Sequence, residues 1–190
     1  MSASLHVASG HPELHTVRDV ARHYLGDLVY GANDGLITTF AVVAGVAGAA
    51  LAPRIVIILG VANLVADGFS MAASNFLAIR SRGAVEVAEG HAVSEPHAAK
   101  HAVATLLAFV LAGAVPLLSF LTGVAVEHRF LLASALTLLT LFAVGAARST
   151  VAGGRWIVNG LEMLAVGATA AAVAYGVGRL LGSAAPGAGV

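Results

Sequence analysis

The chain has 190 residues, 58% of them hydrophobic and only 11% charged, with a formal net charge of +0. Soluble domains carry roughly a quarter charged residues, so a mean hydropathy of +0.90 points to lipid as the solvent, and the charge balance excludes the basic excess of a nucleic-acid binder. The chain contains no Cys, which excludes disulfides, thiolate metal sites and thiol nucleophiles together.

Residues 1–27 are polar and His-rich, with no apolar stretch behind Met1, so they do not read as a signal peptide. Within them, Leu14, Val17, Val20, Ala21, Tyr24 and Leu25 recur at helical spacing. That predicts a short amphipathic helix over 13–27, either on the inner membrane surface or capping the bundle. A membrane span needs roughly 20 mostly apolar residues. Five stretches qualify: about 28–50, 54–79, 102–123, 129–147 and 156–181. The expected fold is therefore all-α, a polytopic five-helix membrane domain over 28–181. Pro116 predicts a kink in the third span. A polar loop is expected over about 80–101, and a small flexible tail over 182–190.

The flanking charges set an expected orientation. With the N-terminus inside, the inner segments hold Arg18, Arg22, Arg80, Arg82, Lys100, Arg148 and Arg155. The outer segments hold only Arg54, Arg129 and Arg179, so the C-terminus is expected outside.

Three carboxylates, Asp34, Asp67 and Glu162, fall inside expected spans. An ionised Asp at a bilayer centre costs about 2.5–3.5 kcal/mol on insertion scales, so such groups face the bundle interior or a wet pathway. Each has polar helical neighbours: Asp27, Gly31 and Thr38 around Asp34; Asn63, Ser70, Met71 and Ser74 around Asp67; Asn159 and Thr169 around Glu162. Three polar faces converging on one cavity is the expectation. The alternative is interhelical hydrogen bonding by protonated carboxyls. Hard oxygens plus the Met71 thioether suit Fe²⁺ better than Ca²⁺ or Mg²⁺, with Mn²⁺ possible through the oxygens. On the residues alone, a Met in a membrane helix reads as packing. Gly160, Gly167, Ala171, Ala174 and Gly178 share one side of the fifth span and predict a close helix contact, within the bundle or between protomers. His11 and His15, and likewise His97 and His101, stand four apart; each pair reads as solvated surface or as a metal-capturing pair. No His falls within an expected span and no HExxH motif is present, so the chain does not read as an enzyme.

The stretches YGANDGLITTFAVVAGVAGA (30–49) and ANLVADGFSMAASNFLA (62–78) resemble the vacuolar iron transporter family. FVLAGAVPLLSFL (109–121) and GLEMLAVGATAAAVAYGVG (160–178) extend the resemblance over most of 25–180. It implies five membrane helices, a homodimer, and export of Fe²⁺ or Mn²⁺ from the cytoplasm in exchange for protons, with no permanently bound cofactor. The membrane would be the plasma membrane of a bacterium or the vacuolar membrane of a eukaryote. The family's first-helix Asp falls on Asp34 and its second-helix Met on Met71, which makes Met71 a candidate ligand. Family members with a cytoplasmic metal-binding domain insert a long Glu-rich segment between spans two and three. Here that connection is too short, and only Glu86, Glu89 and Glu95 stand in it. Where those members have AELVAG, this chain has ANLVAD: Asn63 replaces the carboxylate and Asp67 supplies one a turn later. Expected metal residues are thus Asp34, Asn63, Asp67 and Met71, with Asp34, Asp67 and Glu162 as proton-coupling candidates. The rival readings are a channel or exporter for another divalent cation, and a non-transporting membrane scaffold or metal sensor.

Overall fold

The computed structural model describes residues 16–184, and His11 and His15 lie outside them. Five helices are long and apolar enough to cross a membrane, and the described residues contain no strand. A short α1 (Val17–His23) precedes α2 (Leu25–Gly48) and α3 (Pro53–Ala88). The third span is α4 (Ala98–Gly113) and α5 (Leu118–Leu121), joined by a 3-10 turn; α6 (Val126–Ala152) and α7 (Trp156–Ala184) complete the bundle.

Local chemistry sets these boundaries. The Thr16 hydroxyl accepts the Asp19 N–H at 3.2 Å while the Asp19 carboxylate accepts the Thr16 N–H at 3.2 Å, a capping box that starts α1. α1 covers only part of the helix expected over 13–27 and stops at Tyr24. Pro53 opens α3, where its missing N–H costs nothing. Pro116 breaks the third span into the Val115–Leu117 turn, because its ring offers no N–H to the carbonyl one turn back. Gly153 and Gly154, at φ 81° and 94°, make the left-handed reversal between α6 and α7 that a side chain would resist.

The principal difference from the sequence reading lies between spans two and three. α3 does not stop near residue 79 but continues to Ala88, so nine residues assigned to a polar loop form a helical extension. A helix interior satisfies its own backbone wherever it lies, so loss of apolar character does not end it; Gly90, at φ 80°, does.

α2 is the hub and packs against α3, α4, α6 and α7. Its contact with α4 is backbone to backbone: a Cβ on Gly31 would fall on the Thr105 carbonyl oxygen, and one on Gly35 on that of Phe109. The small residues of α7 pack inside the same bundle, with Gly160 and Gly167 against Phe142 and Leu141 of α6, and Gly178 on the Gly45 carbonyl of α2. Ala174 faces Gly45 in the same contact. Lipid tails are as apolar as Leu, so such close approach rather than hydrophobic burial holds membrane helices together.

Candidate metal pathway

Asp34 sits on α2 between Gly31 and Gly35, half-buried and within electrostatic reach of Asp67 on α3. The Thr38 hydroxyl donates to the Asp34 backbone carbonyl at 2.7 Å and accepts the Asn63 amide at 3.4 Å. Asn63 therefore ties α3 to the turn of α2 that carries Asp34. Asp67 is half-buried one turn further along α3, and Met71, buried, follows one turn after that. Met71 lines an open cavity of about 300 Å³ with Tyr30, Ser70, Ser74, Asn75 and Ala78. The described structure thus brings Asp34, Asn63, Asp67 and Met71 to the α2–α3 contact. Oxygen donors dominate the set, with one soft sulfur beside them, a composition suited to a borderline divalent cation.

Glu162 does not join this group. Its exposed carboxylate accepts from the Arg148 guanidinium at 3.0 Å, on the α6–α7 side of the bundle. Arg148 also reaches Asn159 at 3.4 Å. The expected convergence of three polar faces is therefore a convergence of two. The third face is occupied by a basic partner that helical periodicity within one span cannot reveal.

A second polar group lies where α1, α2 and α4 meet. His101, only 7% exposed, hydrogen-bonds through Nδ1 to the Asp27 carboxylate. The other Asp27 oxygen accepts the Asn75 amide at 2.7 Å, and the same amide reaches the Thr105 hydroxyl at 2.8 Å. Because Asn75 lines the Met71 cavity, the network is continuous with it. Beyond His101, one Glu95 oxygen lies 3.2 Å from both His101 Nε2 and His23 Nε2. Its other oxygen accepts the His97 N–H at 2.9 Å. Burial pushes the Glu95 carboxyl up, but the His97 N–H, His101 and His23 outweigh it and hold it below the usual glutamate value.

Two readings of the histidines change here. His101 is not solvated surface: α4 begins at Ala98, so His101 belongs to the third span and is buried in it. Nor do His97 and His101 act as a pair, since His97 caps the helix and is exposed while His101 turns inward to Asp27. Asn75, His23 and the Asp27–His101 pair were not evident from the sequence. The pair joins residues 74 positions apart, beyond any local periodicity; the only available signal was an Asp on the same helical stripe as Asp34.

The VIT family model matches residues 25–92 and 84–179. The chain belongs to the VIT family. It is 33% identical over 172 residues to Vacuolar iron transporter homolog 4 of Arabidopsis thaliana, covering 84% of this chain and 85% of that protein. It is 32% identical over 170 residues to Vacuolar iron transporter homolog 3 of Arabidopsis thaliana, covering 84% of each chain. Vacuolar iron transporter homolog 1 of Oryza sativa subsp. japonica is 34% identical over 180 residues, 87% of this chain and 78% of that one. As a VIT family member the chain is a membrane transporter and not an enzyme.

Proposed function

We propose that this protein moves Fe²⁺ or Mn²⁺ out of the cytoplasm through the α2–α3 contact, in exchange for protons, as a homodimer with its N-terminus inside. Transport of a metal ion across a membrane is the reading supported by relatives named as iron transporter homologues. The observation that carries the finer reading is that half-buried Asp34 and Asp67 lie within electrostatic reach of each other, with Asp67 one helical turn from Met71, which lines an open cavity. Two carboxylates close together in a poorly solvated site cannot both be charged at low cost. Either a proton or a cation supplies the missing positive charge, and competition between them for the same oxygens is a sufficient basis for antiport. The Asn63 carbonyl oxygen adds a neutral donor, and the Met71 sulfur favours Fe²⁺ over harder ions. Glu162, held by Arg148, is a weaker coupling candidate than either aspartate.

The test is Fe²⁺ and Mn²⁺ flux into liposomes under an imposed pH gradient. Asp34→Asn and Asp67→Asn are each expected to cut flux at least about tenfold, the loss of about 1.4 kcal/mol of cation stabilisation. Normal flux in both variants would remove the mechanism. Met71→Leu is expected to lower the Fe²⁺ to Mn²⁺ preference while preserving the fold.

A further inference from the structure

We infer that His23, Glu95 and His101 form a second metal site, at the end of the bundle where α1, α4 and the α3–α4 connection meet, selective for a divalent first-row transition cation. The three ligand atoms all lie within 4.8 Å of one another. A metal about 2.0–2.2 Å from each donor needs donors roughly 3.0–3.5 Å apart, and both imidazole nitrogens already stand 3.2 Å from the Glu95 oxygen. Two imidazoles and one carboxylate with open positions is a donor set suited to Fe²⁺ and its neighbours rather than to Ca²⁺ or Mg²⁺.

His101 carries the second observation. A carboxylate oxygen only accepts, so Asp27 takes the Nδ1–H of the ring. In the neutral imidazole this leaves the lone pair on Nε2. That nitrogen is buried and has no hydrogen-bond partner, yet it faces a carboxylate oxygen. A lone pair aimed at an anionic oxygen is repelled unless a proton or a metal cation lies between them, and in the inferred site a cation bound by His23, Glu95 and His101 takes that place. A carboxylate behind a metal-binding histidine is also the arrangement that orients the ring and raises its basicity. The ligands are held from behind: the His97 N–H holds the far oxygen of Glu95, and Asn75 holds the far oxygen of Asp27. Through Asn75 the cluster touches the cavity beside Met71. A role in loading the pathway rests on the transport reading; the metal site itself does not.

Mn²⁺ bound to the full-length protein in detergent, measured by pulsed EPR, separates the two sites. Asp34, Asn63, Asp67 and Met71 offer no imidazole, so ¹⁴N couplings of imidazole type separate a histidine site from the α2–α3 one, and their dependence on His23 and Glu95 assigns them to this cluster. Two such couplings are expected in the wild type and in the Asp34→Asn/Asp67→Asn double variant. His23→Gln and Glu95→Gln should each weaken that Mn²⁺ signal at least about tenfold, and Asp27→Asn by about 10–100-fold as an orienting carboxylate. His91→Ala, on an exposed side chain of the α3–α4 connection, should leave it unchanged. His23 is half-exposed and Glu95→Gln preserves shape, so neither depends on rescuing a collapsed core. Mn²⁺ binding without imidazole couplings, or couplings indifferent to His23→Gln and Glu95→Gln, would overturn the site. If such a protein still carries metal across liposomes, only the site falls; if couplings persist where flux is absent, only the transport reading falls.

Discussion

At the scale of single residues, the environment of each carboxylate separates chemistry from support. Asp34 and Asp67 have each other and neutral donors nearby, whereas Glu162 has Arg148 at 3.0 Å. A carboxylate that already owns a cation has little to offer a second one. An exposed pair of this kind contributes about 0–1 kcal/mol in water, so its loss is not expected to unfold the protein. Glu162→Gln is therefore expected to keep metal flux within about twofold of wild type, while Asp34→Asn abolishes most of it. Liposome flux on the two variants side by side checks this; a Glu162→Gln protein as inactive as Asp34→Asn would return Glu162 to the coupling pathway. The alignment of Asn63, Asp67 and Met71 on one face of α3 was legible in the sequence, because residues four and eight apart on one helix share a face; Asp34 stands on α2, so its place relative to them depends on how the two helices pack. The Arg148–Glu162 and Asp27–His101 pairs were not, because each joins different helices and depends on how those helices are rotated.

At the scale of helices, the spans were legible and their ends were not. Apolar runs of sufficient length are a property of composition, and all five appear as helices. Where a helix stops depends on capping and on glycine: α3 passes residue 79 without a break and ends only before Gly90. The same distinction governs helix contacts. Gly35 has the Phe109 carbonyl where a Cβ would go, and neither backbone can retreat without parting α2 from α4. Gly26 has nothing within 4 Å of that position. Gly35→Ala is thus expected to destabilise by about 1–3 kcal/mol as an overpacked contact. Gly26→Ala is expected to be neutral or to stabilise by up to about 1 kcal/mol through helix propensity. Thermal unfolding of the two variants in detergent reads both effects, and a Gly35→Ala midpoint equal to wild type would mean that the α2–α4 contact is looser than described. Because Gly35 adjoins Asp34, the tight contact also fixes where that carboxylate stands.

At the scale of the whole molecule, one face remains to be accounted for in lipid. α3 exposes Ser70 and Ser74 beside the half-buried Asp67, and the cavity they line opens outward next to the exposed ring of Tyr30. Away from the exposed Glu162–Arg148 pair, the α6 and α7 surfaces present Leu131, Leu139, Val173 and Leu180, residues that lipid tails accept without cost. A polar groove facing acyl chains would leave hydroxyls and a carboxylate without partners, which a bilayer penalises. In the proposed homodimer, a second copy packed across α2 and α3 would remove that exposure and turn the groove into an enclosed pathway lined from both sides. Such an arrangement predicts which positions lie near a partner. The chain has no native Cys, so a single introduced thiol is the only one that reacts. Ser70→Cys and Ser74→Cys are expected to form covalent dimers with a short bismaleimide in native membranes, and Leu139→Cys to remain monomeric. Dimers through Leu139→Cys with none through either serine position would place the partner on the opposite face and leave the α2–α3 groove open to lipid. Dimers through Ser70 and Ser74 that form faster when Mn²⁺ is present would tie closure of the groove to occupation of the Asp34–Asp67 site, since a cation that neutralises facing carboxylates lets the two copies approach.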